Sequence, residues 1–309
     1  MHRGTINCNQ VQTEVISEGR WIEEDPVPHS NKRVVLVIPG NPGLPRFYEG
    51  FIKALRSKSN TDVWAIGHAG HTQPPENLAI AMPGDEKWAE YYSLTAQVQH
   101  KAEFIKRYIP EDVHLHLIGH SIGAWMVLKL LKDKDIERRI RRCYLLFPTI
   151  EYMAETRNGL LFTTVISRAA PVLIFLSWIF TTMFPTSVQT FMIRVFGLFY
   201  GIPAKSVKAV QEMLNARVLR RVINLAKEEM ISVREADHEI ISQHANKLWL
   251  YYGATDGWVP VKYYKNIMSK HPDLNAQLCQ RGFQHSFVLK DDVEMGNIIA
   301  DLLNEDSER

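Results

Sequence analysis

Cysteine is scarce in this chain of 309 residues: Cys8, Cys143 and Cys279 are far apart and odd in number. That excludes a disulfide framework and a cysteine-rich zinc motif, and a reducing compartment fits. Charge of one sign is also missing. The formal net charge is +2, with no basic tail and no basic run interleaved with aromatics, so nucleic acid is not an expected partner. Met1 to Gln10 holds no apolar core of signal-peptide length, and the expectation is a chain that faces the cytosol. Two histidine pairs, His68 with His71 and His114 with His116, lack a neighbouring carboxylate or thiol to complete a ligand set. No metal and no cofactor is therefore expected, and His68 and His71 read as structural or substrate-lining.

What is present is ordinary globular composition, 46% hydrophobic and 23% charged, with length enough for one large α/β domain. Its centre is Leu117-Ile118-Gly119-His120-Ser121-Ile122-Gly123-Ala124, a G-x-S-x-G pattern between an apolar strand, Val113 to Leu117, and a dense apolar helix from Trp125. A serine in that setting occupies a strained turn at the C-terminal end of a strand, and the two glycines remove side chains that would collide where strand and helix meet. Ser121 is expected to stand exposed above the sheet.

Other strands are read at Arg33 to Ile38, Asp62 to Ile66, Cys143 to Phe147, Lys247 to Tyr252 and Asn275 to Cys279. Helices from Phe47 to Lys58 and from Tyr91 to Tyr108 alternate with them, which gives a mostly parallel sheet flanked by helices. A short hairpin, Val11 to Ile16 with Trp21 to Glu24 around Ser17-Glu18-Gly19, is expected at one edge. Pro39-Gly40-Asn41-Pro42-Gly43 makes a tight loop after a central strand, where backbone N–H groups can form an oxyanion hole; Asn41 and Ile122 are the candidates. Pro74 to Asp85 reads as a proline-rich connection, and the basic run from Lys132 to Arg142 as a solvated helix end.

Between residues 151 and 245 the alternation lapses, and an insertion is expected within a single domain spanning 1–309. From Ala169 to Ile193 it has no charged residue. Pro171, Pro185 and several threonines interrupt the apolar run, so it reads as too short for a span of about 20 residues. A hairpin dipping into one leaflet and a buried lid over the site are both open. Ala204 to Lys227 reads as an amphipathic helix with Lys205, Lys208, Arg217, Arg220, Arg221 and Lys227 on its polar face.

A serine needs a base and an acid that orients the base. His285, after the last strand, is the candidate base. Asp256, in a turn after Lys247 to Tyr252, is the candidate acid, with Glu151 as the alternative. The order Ser121, Asp256, His285 is that of α/β-hydrolases.

With Ile38-Pro39-Gly40-Asn41-Pro42-Gly43, His68-Ala69-Gly70-His71, the G-x-S-x-G segment, Leu146-Phe147-Pro148-Thr149-Ile150-Glu151, and Tyr251-Tyr252-Gly253 leading through Asp256 and Trp258 to Tyr263-Tyr264, the chain resembles the lipid droplet-associated hydrolase family. That resemblance implies a serine-hydrolase site, a neutral-lipid substrate with sterol esters foremost, and residence on the cytosolic face of lipid droplets and endoplasmic reticulum. A rival reading is a droplet-surface or tethering protein with vestigial catalysis.

Overall fold

A computed structural model of the chain describes residues 1–24, 33–73 and 82–306. Its strands are β1 (His2–Cys8), β2 (Val11–Glu18), β3 (Arg33–Ile38), β4 (Asp62–Ile66), β5 (His114–His120), β6 (Ile140–Leu146), β7 (Leu248–Tyr252) and β8 (Asn275–Leu278). They form one sheet in the order β1-β2-β4-β3-β5-β6-β7-β8. Pairings from β4 through β8 are parallel, while β1 with β2 and β2 with β4 are antiparallel. Alternation within each apolar run divides the core in two. Val34, Leu36 and Ile38 point to one side of β3, and Val35 and Val37 point to the other. A sheet covered on both faces needs such unbroken apolar strands.

The helices that matter to the site are α1 (Glu49–Ser59), α2 (Leu94–Tyr108), α3 (Ile122–Leu130), α4 (Arg157–Met183), α5 (Thr186–Tyr200), α6 (Ala216–Ser232), α7 (Val261–Lys270) and α8 (Asp292–Glu305). Phe51, Ile52 and Leu55 of α1 meet Met295, Ile299 and Leu303 of α8 on one face. Phe104 of α2, Met126 of α3 and Ile267 of α7 cover the other. Helices α4, α5 and α6 lie in the segment between β6 and β7.

The edge hairpin differs from expectation. It joins β1 to β2 through Asn9 and Gln10, both at positive φ, while Ser17 and Glu18 continue β2 and Trp21–Glu24 is not a strand. The polar sequence of β1 carries little strand signal, and its exposed edge needs none. The basic run is not wholly solvated either, because Arg139 is buried with its guanidinium on the carbonyls of Ile105 and Ile109, capping the end of α2. Residues 74–81 of the expected proline-rich connection lie outside the described residues.

The insertion also corrects the reading of its parts. Pro171 lies inside α4 without ending it, after a π-turn at Phe162–Ile166, so α4 runs 27 residues. By length and composition it could cross a membrane, and shortness is not what argues against a span. Packing does. The Ser177 hydroxyl donates to the Leu214 carbonyl, and α4 lies against α6, whose exposed Arg217 and Arg220 would have to enter the bilayer with it. The expected helix from Ala204 to Lys227 is broken at Asn215, whose side chain accepts from the Arg217 and Val218 N–H groups and starts α6.

Arg221 is not on the polar face of α6 but is 2% exposed. Its guanidinium lies 3.9 Å from the Tyr92 ring centroid and donates to Asp85 Oδ1 at 2.9 Å and to the carbonyls of Gly70 and Pro83. This clamp holds the insertion on the core. Replacing Arg221 with leucine strands several polar groups and should lower Tm by roughly 5 °C or more, read by calorimetry. The half-exposed neighbour gives the control: Arg220→Leu should change stability by no more than about 0.5 kcal/mol.

Candidate active site

The serine turn is built by close backbone approach. Ser121 is the N-cap of α3 at φ 54°, ψ −122°, a conformation that costs a non-glycine residue about 1–3 kcal/mol. Its N–H donates to the Leu146 carbonyl at 3.0 Å, and its carbonyl accepts from Ala124 N–H at 3.0 Å, which holds the strained residue between β6 and α3. A Cβ on Gly123 would collide with the Ile38 carbonyl, one on Gly119 would come 2.7 Å from Ala124 Cα, and one on Gly40 would come 2.8 Å from Ser121 Cβ. These three glycines let β3, β5 and α3 converge.

The structure brings Ser121, His285 and Asp256 together. His285 Nδ1 lies 2.7 Å from Asp256 Oδ2, and His285 Nε2 lies 2.8 Å from Ser121 Oγ. Because the carboxylate accepts, Nδ1 carries the proton and Nε2 presents a lone pair to the serine O–H. The other carboxylate oxygen accepts the N–H groups of Trp258 at 2.7 Å and Val259 at 3.1 Å, so the turn after β7 fixes the orientation of the Asp256 carboxylate. Glu151, the alternative acid, faces elsewhere: it accepts from Asn266 Nδ2 at 2.7 Å, and burial raises its pKa. Ser121 is 7% exposed, contrary to the expectation of an exposed serine.

Two backbone N–H groups are the candidates for an oxyanion hole. Ile122 opens α3, so its N–H is one of the four without an intrahelical acceptor. On the opposite loop the Gly40 N–H is already taken by the Tyr48 hydroxyl at 2.8 Å, so the N–H of the next residue, Asn41, is the candidate there. The Asn41 side chain is tied to the insertion, donating from Nδ2 to the Val222 carbonyl at 3.0 Å and to Glu229 Oε1 at 2.9 Å. Beneath the loop, His71 Nδ1 donates to the Pro42 carbonyl at 2.6 Å, and burial lowers its pKa to about 3. His68 packs so close to Gly43 that a Cβ there would strike its ring. Both histidines support the loop.

Sequence reasoning missed Tyr48, Val222 and Glu229. A carbonyl leaves no signal in sequence, and a lone glutamate on an amphipathic helix reads as solvated. Glu229 is nevertheless 1% exposed, and burial raises its pKa to about 8.

The fold and this serine site define an α/β-hydrolase. The bromoperoxidase from Bacillus anthracis superposes with a TM-score of 0.62 at 16% identity, covering 98% of this chain and 100% of that one. A serine hydrolase from a polyaromatic hydrocarbon-degrading Cycloclasticus bacterium gives a TM-score of 0.62 at 15% identity over 98% of each chain. Residues 31–288 match the family model described as lipid-droplet associated hydrolase. Lipid droplet-associated hydrolases of Drosophila melanogaster and Homo sapiens are 39% and 33% identical to the chain; the first alignment covers 99% of both chains, the second 99% of this chain and 96% of the human one. The chain belongs to the lipid droplet-associated hydrolase family.

A buried glutamate with a raised pKa binds a proton in the folded state that the unfolded state has released, so it lowers stability as pH rises from about 4.5 to about 8. Glu229→Gln keeps the acceptor for Asn41 and removes that slope. Its Tm should exceed the parent's by a margin that grows across this window and levels off above it, which thermal melts at several pH values measure.

Proposed function

We propose that the chain is a serine ester hydrolase of neutral lipids, with a sterol ester as the leading substrate, working at the droplet surface. The observation that carries this reading is the Ser121–His285–Asp256 hydrogen-bond chain beside a largely uncovered apolar helical pair. Ser121 Oγ attacks the ester carbonyl as its proton passes to His285 Nε2, and Asp256 steadies the imidazolium. The N–H groups of Asn41 and Ile122 stabilise the oxyanion. Collapse of the tetrahedral adduct returns the proton to the departing alkoxide and leaves an acyl-serine. Water, deprotonated by His285, then releases the fatty acid and restores the serine. Phe147 and Trp258 flank His285, which suits an uncharged, bulky ester.

The attachment surface is the outer face of α4 and α5. Leu173, Phe175, Leu176, Trp178, Met183, Phe191, Phe196, Leu198 and Phe199 are all exposed there, the last two above 80%. A contiguous apolar face of this extent marks a protein or membrane contact. Arg168 and Arg194 are exposed within the same helices and can keep their heads at phosphate level. With α6 alongside, the pair fits lying in a monolayer better than crossing a bilayer, which suits droplets and the cytosolic leaflet of the endoplasmic reticulum.

Ser121→Ala should abolish hydrolysis of emulsified sterol ester by purified protein, a loss of about 10⁴-fold or more, and should remove labelling by a fluorophosphonate. Retained turnover refutes the nucleophile. Serine at Leu173, Phe175, Trp178 and Phe180 together should release the protein from droplets in a flotation assay, while Ser121→Ala stays bound. If the serine-substituted protein still floats with droplets, α4 is a lid only; if droplet storage changes equally with and without Ser121, the tethering role is the main one.

A further inference from the structure

His120, the residue before the nucleophile, is buried and uses both ring nitrogens. Its Nε2 lies 2.9 Å from the backbone carbonyl oxygen of His285. A carbonyl can only accept, so Nε2 carries the proton and Nδ1 is a lone pair. Nδ1 is 2.6 Å from the Tyr48 hydroxyl, which must therefore donate. The same hydroxyl oxygen accepts the Gly40 N–H at 2.8 Å. Polarity is thus fixed from end to end: Gly40 N–H to Tyr48 Oη, Tyr48 O–H to His120 Nδ1, His120 Nε2–H to the carbonyl of His285.

This chain links segments that the sheet does not pair. Gly40 follows β3 and His285 follows β8, and β5, β6 and β7 lie between those strands. Phe287 walls the link, with ring centroids 4.9 Å from His120 and 6.5 Å from Tyr48, and Phe147 stands 6.2 Å from His120. Burial lowers the His120 pKa to about 3 and raises that of Tyr48, so neither link changes protonation near neutral pH. A neutral His120 also spares the imidazolium at His285, whose ring centroid is 5.3 Å away, from a like charge.

We propose that Tyr48 and His120 are positioning residues that brace the oxyanion loop and the base loop against each other across the nucleophile. The inference rests on Ser121, His285 and Asp256 being the hydrolytic site. Binding of the ester is left to other surfaces, so loss of the brace should act on the chemical step.

Steady-state kinetics on a soluble short-chain ester test this. Tyr48→Phe should lower kcat about 10- to 100-fold with KM changed less than about threefold, because sub-ångström misplacement of a reacting group is enough for such a loss. His120→Gln, which replaces the ring by an amide able both to donate and to accept, should retain more kcat than His120→Leu. Nitrogen-15 NMR of the histidines in the unmodified protein should show His120 protonated at Nε2 alone from pH 5 to 8. Unchanged kcat in folded Tyr48→Phe, equal losses in the two His120 variants, or an Nδ1-protonated His120 each overturns the brace alone. Retained turnover in Ser121→Ala overturns the site and the brace with it.

Discussion

The constraint on which the rest depends is the approach of α3 to the end of β3, where the Ile38 carbonyl leaves no room for a Cβ on Gly123. Only that approach places Ser121 within reach of the loop at Gly40 and Asn41. The cost is a serine at positive φ, which the surrounding hydrogen bonds to Leu146 and Ala124 must hold. Around this point each partner reaches the serine from the C-terminal end of a different strand. β3 leads to the loop at Gly40 and Asn41, β7 to Asp256, and β8 to His285. A parallel sheet supplies such ends side by side, which is why one turn can gather groups as distant in sequence as Ser121 and His285, 164 positions apart.

The insertion is more than a cover. Helix α6 holds the side chain of Asn41 through Val222 and Glu229, lies against α4, and is clamped to the core by Arg221. The exposed apolar surface of α4 and α5 is therefore connected through α6 to the loop at Asn41. Glu229 is enclosed there, and its burial raises its pKa to about 8.

Much of the core was legible because its signals are local. Gly119 and Gly123 frame the serine, β-branched runs mark the buried strands, and Asp256 and His285 each follow a strand in a turn. The misreadings arose where the deciding contact is distant. β1 lacks an apolar pattern because it is an exposed edge, and it escaped notice although Asn9 and Gln10 form its turn. Pro171 suggested a break, but α4 runs through it, following a π-turn at Phe162–Ile166. Arg221 looked solvated because its neighbours on α6 are charged, and only the fold shows Asp85, Gly70, Pro83 and Tyr92 waiting for it.

The central claim is that Ser121 forms the covalent intermediate. Its most direct test is rapid quenching of the protein with an excess of a slowly deacylating long-chain ester, followed by peptide mass spectrometry. The account predicts one acyl group per chain, on the peptide containing Ser121, appearing before free acid accumulates. Acylation at another residue, or full turnover with no acylated peptide at any time, would contradict it.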